Sequence, residues 1–126
     1  MIPADLRYSK EHEWVRLDGD VATVGITAHA ADELGDIVFV ELPAVGTALE
    51  QFASFGVVES VKAVSDLFAP VAGDVTETNA LLSGAPETVN TDPYGDGWML
   101  RVKVADPAQV DALLDATTYE ALIAEA

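Results

Sequence analysis

The chain contains no cysteine in its 126 residues, which excludes disulfides, cysteine-rich structural zinc and a cysteine nucleophile. Any thiol chemistry must therefore come from an attached group, and the absence fits a reducing compartment. Cations are also scarce. Six Lys and Arg stand against 22 Asp and Glu, for a formal net charge of −16. Such a surface repels phosphate backbones and anionic lipid heads, so neither nucleic acid nor a membrane is expected as a partner. The same charge favours solubility and steers the chain toward proteins with basic patches. No apolar run reaches the roughly 18 residues of a membrane span. The opening MIPADLRYSKEHEW has no signal-like apolar core and no arginine-rich transit character, so no targeting peptide is expected and the location should be cytoplasmic. Histidine is rare too: His12 and His29 alone leave few candidates for a nucleophilic triad. There is no G-x-S-x-G, P-loop or G-x-G-x-x-G. Asp92 and Asp96 read as turn residues rather than a calcium loop.

What is present is a 50% hydrophobic chain of single-domain size, taken as one domain over residues 1–126. Short β-favouring runs recur at residues 21–26, 37–42, 55–64, 75–78 and 98–104. In the last, Trp98, Leu100, Val102 and Val104 alternate with Met99, Arg101 and Lys103. Frequent short strands broken by Pro and Gly predict a sandwich or small barrel. Pro43-Ala44-Val45-Gly46 and Pro70-Val71-Ala72-Gly73 resemble each other and hint at two similar halves. Thr27 should cap a short helix over 28–34 that Gly35 ends. Asp106, Pro107 and Gln109 read as a capping box before a helix carrying Val110, Leu113 and Leu114. A further helix should start at Thr117, with Glu120, Leu122 and Ile123, and residues 83–97 read as a long loop.

Lys62 stands out. It lies in Glu59-Ser60-Val61-Lys62-Ala63-Val64-Ser65-Asp66, inside an apolar β-rich run, and must sit at a turn or point to water because burying its charge unpaired costs too much. Pattern alone favours a solubilising lysine at a hairpin tip, although the tip lacks the Gly, Asn or Pro that usually marks a tight hairpin.

Glu59-Ser60-Val61-Lys62-Ala63, then Ser65-Asp66 and Ala69-Pro70-x-x-Gly73, resemble the lipoylation hairpin of glycine cleavage H proteins. The resemblance continues in order through Tyr8 to Trp14, Val24 to Thr27, His29-Ala30, Leu34 to Pro43, Asn90, Pro93-Tyr94, Gly97-Trp98, Leu113-Leu114 and Tyr119-Glu120, and so covers nearly the whole chain. It implies a mainly β, flattened barrel-sandwich hybrid of two quasi-symmetric sheets, with a few short helices, two of them C-terminal. It also implies a bacterial, monomeric, non-catalytic carrier with lipoate joined to Lys62 as an amide. The arm would take an aminomethyl group from a pyridoxal-phosphate glycine decarboxylase (P protein) to a folate-dependent aminomethyltransferase (T protein). Dihydrolipoyl dehydrogenase (L protein) would then collect the electrons. Tethering keeps the cargo at high effective concentration between active sites. Glu59, Ser60, Val61, Ala63 and Asp66 would be read by the lipoylating enzymes. Glu13, with His12 and Asp66 behind it, is the candidate partner for the cationic cargo. His29 is assigned to its helix alone.

Four other readings remain open at this level. A biotinyl carrier should hold its lysine between methionines, whereas Val61 and Ala63 flank this one. A lipoyl domain of a 2-oxoacid dehydrogenase should be shorter and followed by a linker. A lipoyl-relay protein would use the same lysine to donate lipoyl groups to other enzymes. An unmodified acidic binding module would carry no added mass.

Overall fold

The computed structural model describes residues 2–125. Local signals set several elements directly. Helix α1 (Ala28–Leu34) starts where Thr27 Oγ1 accepts the Ala30 amide, and ends at Gly35, whose φ of 85° is left-handed and whose amide donates to Ala31. Strand β3 (Val21–Ile26) follows a turn at Gly19, also left-handed. The other strands are β1 (Arg7–Tyr8), β2 (Glu13–Asp18), β4 (Ile37–Glu41), β5 (Ala48–Leu49), β6 (Ser54–Ser60), β7 (Val64–Phe68), β8 (Gly73–Thr78) and β9 (Leu100–Val104). Four more short helices lie among the described residues: α2 (Leu81–Gly84), α3 (Thr88–Thr91), α4 (Ala108–Asp111) and α5 (Ala116–Ala124).

The strands form a six-stranded sheet, β1-β2-β3-β9-β8-β5, and a three-stranded sheet, β4-β6-β7, with every pairing antiparallel. The architecture is mainly β, as expected, but the two sheets are unequal and do not close into a barrel. The Pro-x-x-Gly repeat has a structural meaning. Pro43–Gly46 and Pro70–Gly73 each lie where the chain leaves the three-stranded sheet for the six-stranded one, between β4 and β5 and between β7 and β8.

A main core gathers Val24, Ile26, Ile37, Val58, Leu67, Val89, Leu100 and Val102 from both sheets and α3. A second core joins Leu6, Tyr8 and Trp14 to Ala116 and Tyr119 of α5. There the Tyr8 and Tyr119 rings stack at 4.7 Å, and Tyr8 exchanges backbone hydrogen bonds with Leu114.

Several expectations need correction. The run 55–64 is not one strand, since the chain reverses over residues 61–63. Residues 83–97 hold the end of α2 and all of α3. Met99 is buried rather than outward: its carbonyl accepts the Asn79 amide before the β9 ladder begins. The Gln109 side chain closes no capping box, because its Oε1 accepts the Ala72 amide instead. The last helix is capped by Asp115, which accepts the Thr118 amide, and so begins ahead of Thr117.

Candidate functional site

β6 and β7 pair from Ser54↔Phe68 up to Glu59↔Val64, which leaves Val61, Lys62 and Ala63 as the tip. A serine side chain does the work a turn glycine usually does. Ser60 Oγ accepts the amides of Lys62 (3.3 Å) and Ala63 (3.0 Å), while the Ser60 amide donates to the Ala63 carbonyl (2.8 Å). The tip is also tied sideways. The Val61 amide donates to the Asp36 carbonyl at 3.0 Å. Asn90 clamps the residues on either side of Asp36, accepting the Ile37 amide (2.8 Å) and donating to the Gly35 carbonyl (2.9 Å). Lys62 is exposed, and its stem passes over Gly35, where an added Cβ would lie 3.4 Å from Lys62 Cε. Val61 and Val64 flank it at 69% and 67% exposure. Among the described residues no carboxylate pairs with the Lys62 amine.

At the other end of this hairpin lies Glu13. The loop before it is a tight turn in which the His12 amide donates to the Ser9 carbonyl and the Ser9 amide to the Glu13 carbonyl, with His12 left-handed at φ 74°. Glu13 is only 2% exposed, its Oε1 accepting from Ser9 Oγ and its Oε2 from the Phe68 amide. Burial pushes its carboxyl up to about 7, against the pull of those two hydrogen bonds. Ser9 and Phe68 in turn line an open, mainly apolar cleft of about 360 Å³ with Tyr8, Lys10, Glu11, Phe52, Ala112, Leu113 and Leu114.

The expected site residues therefore fall into two groups. Glu59, Ser60, Val61, Lys62 and Ala63 meet at the tip, and Asp66 is exposed further down β7, paired with Val57. His12 and Glu13 sit near the hairpin's base and not beside Lys62. Five residue steps of strand lead from Ala63 to Phe68, roughly 16 Å. His12 is not free either. Its Nδ1 meets Tyr119 Oη at 2.8 Å, its ring lies 5.0 Å from that of His29, and burial, then His29, holds it below the usual imidazole range. His29 pairs with Glu33 on its own helix at 3.6 Å. Asn90, Phe52 and Phe68 had been assigned no role. Asn90 had a signal, as a polar residue in the resembling segment, whereas the cleft is assembled from four separate segments and leaves no local pattern. No group of three metal-ligating side chains occurs among the described residues, and no helix there is long and apolar enough to cross a membrane.

A two-sheet frame that lifts an exposed lysine on a hairpin tip is the architecture of proteins that carry a prosthetic arm. Comparison specifies the arm. The family model described as glycine cleavage H-protein matches residues 6–126, and the chain belongs to that family. A glycine cleavage system H protein of Phenylobacterium zucineum (strain HLK1) is 60% identical over 119 residues, 94% of this chain and 98% of that one. One of Symbiobacterium thermophilum is 56% identical over 124 residues, 98% and 97% of the two chains. The crystal structure of a glycine cleavage system H protein from Mycobacterium marinum superposes with a TM-score of 0.90 at 42% identity, covering 98% of this chain and 99% of that one. The chain is thus a lipoyl carrier of the glycine cleavage system, working with the P, T and L proteins, and not itself an enzyme. Its cofactor is covalent lipoate.

Proposed function

We propose that Lys62 is the residue that bears the lipoyl arm. The observation that carries this reading is its placement: an exposed lysine at a tip held by Ser60 and Asp36, with no competing ion pair among the described residues. Such a tip fits an amide-linked arm. The amine is accessible to an acylating enzyme, the flanking Val61 and Ala63 are compact, and loss of the charge strands no partner. Glu59, Ser60, Val61, Ala63 and Asp66 present the lysine in one geometry for the lipoylating enzymes. The lipoyl group supplies the sulfur chemistry, and this chain supplies reach, docking surface and shelter. The setting is cytoplasmic, and residues 1–126 act as one domain.

The cleft at the hairpin's base is where the arm's end parks. From Lys62 Cα to a ring sulfur runs about a dozen bonds, roughly 14 Å at the extension typical of backbone. Folded back along β7, the arm spans most of the roughly 16 Å to Phe68, and its aminomethyl end, two bonds beyond the sulfur, reaches the edge of the cleft there. Glu13 lies one layer behind the wall, joined to it through Ser9 Oγ and the Phe68 amide. A cationic amine arriving in the cleft would draw that carboxyl toward its ionised form. Asp66, exposed on β7, lies beside this path, and His12 sits in the loop next to Glu13 with its ring on Tyr119.

Intact mass of the protein from a lipoate-making host, beside Lys62→Ala, tests the attachment. A gain of one lipoyl group that vanishes in the variant is expected. No gain, or a gain that survives the substitution, would remove Lys62 from the role. A biotin-sized gain would place the chain with biotinyl carriers.

A further inference from the structure

Phe52 is a large side chain on a backbone that disfavours it. Its φ is +67°, in the left-handed region where a bulky residue is an outlier. The turn imposes that value. The Ala53 amide donates to the Glu50 carbonyl at 3.1 Å, and of the two central residues only Phe52 has positive φ. That is the pattern of a type II turn, whose third position suits Gly or Asn. The turn is pinned to the next segment by three hydrogen bonds. The Phe52 amide donates to Ala69 (2.6 Å), the Ala69 amide to Ala53 (2.8 Å) and Gln51 Nε2 to Pro70 (3.0 Å). None of them involves the Phe52 ring. Nor does the ring fill the core, since Phe52 is 56% exposed. It neither relieves the turn nor stabilises the interior to any extent that explains it. Strain of this kind collects where the side chain has another task. Phe52 instead lines the cleft, together with Phe68, Tyr8 and Leu113.

We propose that Phe52 closes the cleft over the sulfur end of the arm and sets how long the cargo survives there. The inference rests on the parking of the arm proposed above. The chemistry fits an organosulfur group carrying an ammonium. Phe52 and Phe68 offer ring edges and faces to a thioether or dithiolane, and a π face to the cation. Glu11 gives the same cleft an exposed carboxylate. The ring also occupies space through which water would otherwise reach the sulfur-bound carbon.

The cargo's decay provides the test. Without partners, water takes the S-aminomethyl group apart: the sulfur regains a proton, the carbon leaves as formaldehyde and the nitrogen as ammonium. Formaldehyde release would be followed from the lipoylated, loaded full chain, from Phe52→Gly and Phe52→Tyr, and from free loaded dihydrolipoamide, with thermal midpoints taken on the same samples. Phe52→Gly should keep or raise the midpoint, because glycine suits the turn, yet lose cargo roughly two- to tenfold faster, the range a ring–sulfur contact spans. Phe52→Tyr should keep the parent rate. If the parent is protected relative to the free compound and Phe52→Gly is equally protected, Phe52 has no such role while the parking stands. If the parent decays as fast as the free compound, the parking fails and the role of Phe52 with it. A clearly lowered midpoint in Phe52→Gly would mean that the ring serves the fold, and would also overturn the proposal.

Discussion

Glu13 is kept dry at a cost that pH can reveal. Its carboxyl is raised to about 7 by burial, above the ordinary 4.5 it has when unfolded. Between those values the folded chain holds a proton that the unfolded chain has released. Stability contributed by the protonated form is thus complete below about pH 4.5, falls as pH rises toward 7 and stays lost above it. A shift of that size corresponds to as much as about 3 kcal/mol. Glu13→Gln keeps the shape and removes the titration, so it should flatten the pH dependence and raise the thermal midpoint at pH 8 relative to the parent. Scans at pH 5 and 8 decide this, and equal pH slopes in the two proteins would contradict it. Asn90 makes a different prediction. Its amide satisfies the Gly35 carbonyl and the Ile37 amide, both part of the connection on which the tip leans. Asn90→Ala leaves these groups unpaired and should cost about 1–3 kcal/mol. It should also speed hydrogen exchange at the Val61 amide, whose acceptor is Asp36. A denaturant melt with exchange measured at Val61 checks both parts.

Among elements, the β6–β7 hairpin carries the strictest requirement. Ser60 Oγ gathers the amides of Lys62 and Ala63 while the Val61 amide goes to Asp36, so position 62 and not 61 or 63 stands at the apex. The double variant Lys62→Ala with Ala63→Lys keeps composition and charge but moves the amine one residue. Lipoylation should fall to background in the intact mass, and normal modification would show that the enzymes read the sequence loosely. This hairpin also marks the limit of reading from sequence. The helix at Thr27–Gly35 was legible because its cap and its left-handed glycine act within a few residues. The tip was not, since a serine side chain and a carbonyl from the connection between α1 and β4 hold the turn. Lys62 itself is singled out through resemblance, since its pattern alone favours a solubilising residue at a hairpin tip. Gln109 misled for a similar reason: its spacing suited a cap, but its partner, Ala72, is 37 residues away in the chain. β2 escaped because its buried stretch begins with Glu13, an acid no hydrophobic pattern places inside. The four-residue helices α2 and α3 are too short to show a period.

Over the whole molecule the dominant quantity is charge. The formal net charge of −16 reflects 22 Asp and Glu against six Lys and Arg, and acylation of Lys62, as proposed, would remove one of those six positive charges. A carrier that must visit three enzymes in turn needs rapid encounter and rapid release more than tight binding. Long-range attraction raises the first without slowing the second. Asp36, Glu41, Glu59 and Asp66 lie on or beside the three-stranded sheet that carries the tip, whereas Asp18 and Asp20 lie at the β2–β3 turn of the other sheet. Screening discriminates this from contact chemistry, because the Debye length shrinks to about 8 Å at physiological salt and about 3 Å at 1 M. Association of the lipoylated chain with its glycine decarboxylase should therefore slow steeply from low to high salt, while the dissociation rate changes little. Glu59→Gln with Asp66→Asn should slow association and weaken its salt dependence more than Asp18→Asn with Asp20→Asn, although each pair removes two charges. Stopped-flow association rates across a salt series would check both statements. Equal effects from the two pairs would mean that only total charge matters, and salt-independent association would mean that the acidity serves solubility alone.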